Sequence, residues 1–394
     1  MSVAIPELFW TSFDKPIRKP FIMFSCIEND FMIQRTGSKI IREDTRGNTY
    51  TREQYEERLP FLYLRQLMIS GTMKDTIRGI AMDMHDINLN KSFFSFKPTD
   101  MVTPEPGVYP LFEAESGRAN LEMPEDFFRI TWRVEFIGSK TNKIIEEKSR
   151  LFSAALYQDG FAFPAKKIAG IPTTRKSCDE GYLIIDAKDQ MFHLKMIKGN
   201  PFVKKVVIPD GLKFKHISCV DFKDKKYYAY LYDSTGDIYI LTQDDYELIK
   251  FPVGNFHPES EELKIYGDLF NYNVIINGDD FMRVVVLDKE YQKVKEYNET
   301  WPVRAETNYG KLFSTLFPAQ ISLTNENSNF INFYFTASKG FKWLIVSFVL
   351  IIIHFILIRR RGRLIRHVAD FGIILLTGIY GFIAVNVFPN KFFD

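Results

Sequence analysis

Signatures of known chemistry are what this sequence lacks. No GxSxG, HExxH, Walker A or CxxC occurs, and no GxGxxG follows a strand. That excludes the nucleophile-elbow hydrolases, the zincin proteases and the P-loop ATPases, ABC ATPases among them. Cysteine is scarce: Cys26, Cys178 and Cys219 are an odd number at wide spacing. Such a set is neither a disulfide framework nor a zinc pattern. One bridge would need an oxidising compartment, spacing does not choose its pair, and three buried thiols are the expectation. Net charge is only +2, which removes the electrostatic case for nucleic acid. The first ten residues, MSVAIPELFW, carry no basic n-region and no long apolar h-region, so they are not a signal peptide.

What is there begins at the far end. Residues 341–358 read FKWLIVSFVLIIIHFILI and residues 371–388 read FGIILLTGIYGFIAVNVF, with Lys342 the one formal charge in either. A bilayer core needs about 20 apolar residues as helix. The expectation is a transmembrane hairpin over 341–388; the bland alternative is a pair of buried core helices. The loop 359–367 holds Arg359, Arg360, Arg361, Arg363 and Arg366, against Lys339, Lys342 and Lys391 at the opposite ends. Short basic loops stay cytoplasmic and meet anionic lipid headgroups. The large head would then be periplasmic, anchored in a bacterial inner membrane; the rival topology keeps it in the cytoplasm. Residues 1–20 would be a lead-in left from an upstream signal anchor, and 389–394 a short tail. Within the runs, His354 and Asn386 are polar groups in an apolar setting, functional suspects by default. Gly372, Gly378 and Gly381 would let another helix pack closely.

Before the anchor the composition favours sheet, with 37 Phe and 19 Tyr. Residues 21–160 read as a mixed β/α part. Within it, 21–34 is strand, turn, strand, and 39–41 adds a strand. Thr51 with Gln54 makes a capping box, and a second helical piece ends at Gly71. Strands are expected at 93–96, 108–112 and 128–137. A helix is expected at 143–157, with Ile144, Ile145, Leu151, Phe152, Ala155 and Leu156 on one face. Residues 161–300 read as repeats of about 45 residues. Strand-turn-strand recurs at 182–194, 228–241 and 273–287, with Asp186, Asp233 and Asn277 at the turns, spaced by 47 and 44. Such a period is the mark of propeller blades; a meander or sandwich is the alternative. Residues 301–340 connect to the anchor. The fold class expected is a mainly β extracytoplasmic domain, propeller-like or a meander with a few helices, plus the two-helix transmembrane hairpin.

Three clusters invite a chemical reading. Met82, Met84 and His85 offer thioether and imidazole, which suit Cu(I), although one face of a strand or turn explains them equally. Asp279 and Asp280, with Asp237 or Asp268, read as turn residues rather than paired carboxylates. Arg175, Lys176, Asp179 and Glu180 read as a solvated loop. No pattern names a cofactor or a catalytic residue.

DTRGNTYT (44–51), LEMP (121–124), EEKSRLF (146–152), PTTRK (172–176) and DEGY (179–182) resemble an uncharacterised bacterial membrane-protein family, classed only as a domain of unknown function and found with ABC-transporter components. The resemblance implies an additional N-terminal transmembrane helix and a transport-associated accessory role. The function expected is a membrane-anchored, non-enzymatic accessory subunit whose partners are lipid and a membrane protein such as a permease. The alternatives are an anchored enzyme or metal-binding protein that uses a propeller face, and a periplasmic sensor.

Overall fold

The computed structural model describes residues 1–13, 18–176, 178–325, 327–338, 340–359 and 367–388. They fall into two compact units: residues 20–277 with 283–298, and residues 1–19, 278–282 and 299–394.

The chain opens with helix α1 (Ala4–Phe13) and then builds the β-rich unit. Strands β1 (Phe21–Ser25), β2 (Asp30–Thr36) and β3 (Ile40–Asp44) make an antiparallel meander. Helix α2 (Arg52–Arg58) starts at the expected capping box, where Thr51 Oγ1 accepts from the Gln54 amide and Gln54 Oε1 from the Thr51 amide. Helix α3 (Leu64–Ser70) ends on Gly71, whose φ of 70° is the left-handed cap a glycine adopts at no steric cost. A ribbon β4 (Thr76–Ile77) and β5 (Ile80–Ala81), helix α4 (Met84–Asn90), strand β6 (Ser92–Phe96) and the short helix α5 (Pro98–Met101) follow. The expected strand over 128–137 is a hairpin, β7 (Asp126–Ile130) and β8 (Val134–Gly138), with its turn at 131–133. Residues 108–112 join it only by an isolated bridge between Tyr109 and Phe128. Helix α6 (Glu146–Gln158) starts later than periodicity indicates. It buries Ser149, Phe152 and Leu156, while Ile144, Ile145 and Leu151 stay exposed. Ser149 and Ser153 explain the difference, because their hydroxyls accept the amides of Phe136 and Val134 and turn that face to the hairpin.

Three larger sheets complete this unit. The first runs β9 (Lys167–Gly170), β10 (Tyr182–Ile185), β11 (Met191–Ile197) and β12 (Asn200–Val206) in chain order. The second runs β13 (Phe214–Cys219), β14 (Tyr227–Asp233), β15 (Ile238–Thr242) and β16 (Leu248–Phe251). The third runs β17 (Glu262–Gly267), β18 (Tyr272–Asn277), β19 (Phe281–Leu287) and β20 (Lys293–Thr300), with β6 added beside β17. The three repeated hairpins are therefore β10–β11, β14–β15 and β18–β19. Strands β10, β14 and β18 are buried along their whole length. A strand with water on one face alternates; these have packed neighbours on both. Leu183, Ile185 and Met191 of the first sheet meet Ile217, Ala229 and Leu231 of the second in one apolar cluster. Phe128, Phe136, Phe152, Tyr182 and Leu194 form another, between the β7–β8 hairpin, α6 and the first sheet.

One turn device recurs. Asp44, Asp186, Asp233 and Asp288 each accept, at Oδ1, the amides two and four residues ahead, at 2.7–3.0 Å. A carboxylate satisfying two amides replaces the backbone bonds a tight turn cannot make.

The other unit holds α1, helix α7 (Asn308–Leu316), the ribbon β21 (Ala319–Ser322) and β22 (Tyr334–Ala337), and helices α8 (Trp343–Ile358), α9 (Val368–Thr377) and α10 (Ile379–Val387). Phe9 and Trp10 of α1 pack on Phe313 of α7, and Phe9 also meets Phe317. Here the structure corrects the sequence. Among the described residues no helix is long and apolar enough to cross a membrane. At 1.5 Å per residue the 16 residues of α8 reach about 24 Å, short of a core of roughly 30 Å. The second apolar run is two helices, broken at Gly378, where φ is 59° and ψ −129°. The expected hairpin, its inner-membrane anchorage and the periplasmic placement of the head that rested on it are overturned by this finding. Helix α8 buries Ser347, His354 and Ile358 and leaves Phe348, Ile352 and Ile356 exposed.

Candidate functional site

Strands β9 and β13 are the first strands of neighbouring sheets. Together with the segment 100–109 they enclose a cavity of about 360 Å³. Lys167, the first residue of β9, lies on its wall with His216 of β13, Glu105, Tyr109 and Ser218. Gly170 makes the wall close, since a Cβ there would stand 2.5 Å from the Tyr182 ring. Tyr182 is fixed in turn, its hydroxyl donating to the Pro110 carbonyl at 2.7 Å.

The polar groups are few and convergent. Lys167 Nζ donates to the Lys215 carbonyl at 3.2 Å and lies 3.1 Å from His216 Nδ1. An ammonium has only protons to offer, so Nδ1 accepts and the imidazole carries its proton on Nε2. Burial, then the Lys167 charge, pushes His216 down to about 4. Burial also lowers Lys167, with the Glu105 charge acting against it. Among the described residues no carboxylate stands within ion-pairing distance of Lys167. Across the cavity Tyr109 donates to Glu105 Oε2 at 3.4 Å; burial, then that carboxylate, pushes the phenol up to about 12.

Behind Cys219 lies a second polar cluster, read from sequence as a solvated loop. The structure buries Lys176 and Asp179, half-buries Glu180 and leaves Arg175 exposed. Lys176 Nζ donates to Asp179 Oδ1 at 2.5 Å and to the Ile171 carbonyl at 2.8 Å, with both charged side chains under one-tenth exposed. Glu180 Oε2 accepts from Lys195 at 2.5 Å. Gly181 bends the chain with φ 69°, where a Cβ would run into the Leu194 carbonyl. His193 Nε2 donates to the Glu180 carbonyl, so its Nδ1 accepts from Tyr246 Oη at 2.8 Å. The enclosed space is about 20 Å³, too small for an organic ligand. The cluster pins the loop 171–181 that frames the larger cavity. Sequence reading missed Lys167, His216 and His193. The available signals were slight: the one Lys of KIAG, the His beside a Lys in FKHISC, and the His two residues before a Lys in MFHLKMI.

The histidines make stability depend on pH. His193 is pushed down to about 4, by burial first and then by the Lys195 charge. The unfolded chain takes up protons near 6.5 that the folded chain refuses until about 4, so stability is full above 6.5 and is lost as pH falls toward 4. Glu180, held below its ordinary value by Lys195 against the opposing effect of burial, adds to the loss at the lower end. Urea titrations followed by circular dichroism at pH 7 and pH 4.5 should differ by on the order of 3 kcal/mol from His193 alone. His193→Gln should flatten that slope; an unchanged slope would refute the assignment.

The remaining sequence-singled residues are dispersed. Met82 packs on the cluster of Cys26, Phe61, Leu64, Ile77 and Ile87. Met84 and His85 begin α4, exposed, where Asp83 is the N-cap and accepts the His85 and Asp86 amides. The three do not converge. All three cysteines are free: Cys26 is buried, whereas Cys178 and Cys219 are only partly so. Arg359 ends α8, and Arg360, Arg361, Arg363 and Arg366 lie outside the described residues. A Cβ on Gly378 would stand 3.3 Å from Pro318 and 3.4 Å from Ser347. Gly381 of α10 is buried against Ile373 and Thr377 of α9, and Gly372 faces open space. His354 and Asn386 are brought together at 3.3 Å.

The chain is a mainly β protein, with several helices, built from antiparallel sheets, and propellers are among its structural neighbours. It belongs to the family described as domain of unknown function DUF4857, whose model matches residues 21–287. That match carries neither a membrane location nor a transporter partner. Similar solved structures include the β-propeller domain of Myceliophteria thermophila Cps50 (Swd1), at 8% identity, over 71% of this chain and 68% of that one, TM-score 0.25. PorZ, a bacterial surface component of the type-IX secretion system of Porphyromonas gingivalis, matches at 10% identity over 72% of this chain, TM-score 0.23; this chain spans only 32% of PorZ. The Dos1 propeller matches at 10% identity, over 73% and 63%, TM-score 0.27. No curated protein matches the chain.

Proposed function

We propose that the protein is a non-enzymatic accessory module whose β-rich unit binds an acidic segment of a partner polypeptide in the cavity between β9 and β13. The observation that carries this reading is Lys167. Its ammonium is drawn partly out of water and, among the described residues, donates to neutral acceptors, a carbonyl and an imidazole. A desolvated charge is stabilised when an opposite charge and matching hydrogen bonds reach it. A carboxylate entering the cavity supplies both, and Ser218 and the Pro104–Pro106 segment line the rest. The apolar face left open on α8 supports association with a partner as well.

Calorimetric titration of the full-length chain with a polyglutamate peptide tests the reading. Binding at neutral pH should weaken by about tenfold to a hundredfold in Lys167→Met, the loss of one charge-assisted hydrogen bond. Lys188→Met, at a residue that does not line this cavity, should leave it unchanged. Equal affinity of Lys167→Met and the wild-type chain, or no binding by either, refutes it.

A further inference from the structure

The helical unit carries a cluster that the β9–β13 cavity does not use. His354 lies in the last turns of α8, His367 immediately precedes α9, and Asp370 sits in the first turn of α9. The i,i+3 spacing sets His367 and Asp370 on one face. Asp370 Oδ2 is 2.7 Å from His367 Nδ1 and 3.7 Å from His354 Nε2. One ligand atom from each residue falls within 4.8 Å of the other two.

The state of His354 follows from its surroundings. Asn386 Nδ2 of α10 donates to the Phe382 carbonyl at 2.7 Å, which fixes Oδ1 toward His354 Nδ1 at 3.3 Å. An amide oxygen only accepts, so Nδ1 holds the proton and Nε2 presents a lone pair. The residue is 1% exposed, and Nε2 is buried with no hydrogen-bond partner among the described residues. A buried lone pair aimed at a buried carboxylate oxygen is unfavourable unless positive charge stands between them.

We propose that His354, His367 and Asp370 bind a divalent transition metal of the Zn²⁺ class. Two imidazoles and a carboxylate suit that ion, and three protein ligands leave a fourth tetrahedral position open. Bonds of about 2.0–2.1 Å at tetrahedral angles put ligand atoms roughly 3.3 Å apart. The observed 2.7 and 3.7 Å bracket that spacing, so small side-chain adjustments suffice. Asn386 is the outer partner that holds the tautomer, as carbonyl and carboxylate groups do behind ligating histidines. The ion would tie α8 to α9 and, through Asn386, to α10.

The test uses the full-length, tag-free chain freed of metal and titrated with Zn²⁺ against a chromophoric chelator, then with Co²⁺ for its visible spectrum. One ion per chain is expected, with a tetrahedral Co²⁺ absorption band and a raised melting temperature. His367→Gln and Asp370→Asn, at the rim and in the helix's first turn, should abolish uptake, and the exposed His85→Gln should not. Asn386→Ala should keep the stoichiometry but weaken affinity by roughly tenfold to a hundredfold. Circular dichroism confirms that each variant folds. A wild-type chain that takes up no metal, or a His367→Gln/Asp370→Asn chain that takes up as much as wild type, overturns the proposal. The cluster would then be a His354–Asp370 ion pair, with a proton on Nε2 in place of the metal.

Discussion

Asp186→Ala should destabilise the β-rich unit by on the order of 4 kcal/mol, read as a shift in the urea midpoint at constant slope. The carboxylate is fully buried. Its Oδ1 accepts the Lys188 and Gln190 amides at 2.8 Å, and its Oδ2 accepts the Ala162 amide and Gln190 Nε2 at 2.9 Å. Alanine removes two acceptors and four hydrogen bonds at once and leaves the Ala162 amide, which ties the segment after α6 to the first large sheet, without a partner. An unmet buried donor costs about 1–3 kcal/mol, and bonds to a charged acceptor are the stronger ones. Asp186→Asn keeps the Oδ1 bonds and sets an NH₂ against the other two donors, so about half the loss is expected. Asp189→Asn, three residues on, keeps a side chain that tolerates the φ of 62° there, removes the surface ion pairs with Lys166 and Lys213 and should stay within about 0.5 kcal/mol of wild type. A wild-type midpoint for Asp186→Ala would mean that water replaces the carboxylate freely.

Phe96→Ala should cost about 3–5 kcal/mol by the same measurement. Phe96 ends β6 at 1% exposure. Its ring meets Tyr232 at 4.8 Å, His216 at 5.3 Å and Phe256 at 5.9 Å, so one side chain joins the third sheet to the second. Truncation removes the aromatic contacts and leaves a hole that the Tyr232 and Phe256 rings, both fixed by their own packing, fill only in part. Phe96→Leu should recover more than half of the loss. Phe93→Ala on the same strand, where the side chain is exposed, should cost little.

How much of this was legible varies with the range of the forces involved. The hairpins β10–β11, β14–β15 and β18–β19 could be read because each is local: a β-rich run, an Asp or Asn turn, a second run. The capping box at Thr51 and the cap at Gly71 are local as well. The pairing of β6 with β17 was not legible, since nothing in SFFSF names a partner so distant in sequence. The split at 131–133 was hidden because Phe128 to Ile137 is apolar on both sides of the turn. The C-terminal runs misled because hydropathy alone does not register Gly378, where close approach of Pro318 and Ser347 selects a glycine and a break. For the β9–β13 cavity, Lys167 and His216 lie in short segments that the sequence reading did not assign; only the fold sets them 3.1 Å apart. Of the metal cluster, His354 was noticed for its apolar setting, while His367 and Asp370 sat in a flank read only for its arginines.

The insertion of β6 beside β17 also sets a timetable for the growing chain. At about 5–20 residues per second, the roughly 170 residues between them take about ten to thirty seconds to leave the ribosome. For that interval a phenylalanine-rich strand stands without the one strand it pairs with, both its backbone edges open, a template for pairing with other nascent chains. Synthesis of this protein is thus exposed to misassembly until its third large sheet emerges, and a chain stopped before Gly267 would carry the unmated strand permanently.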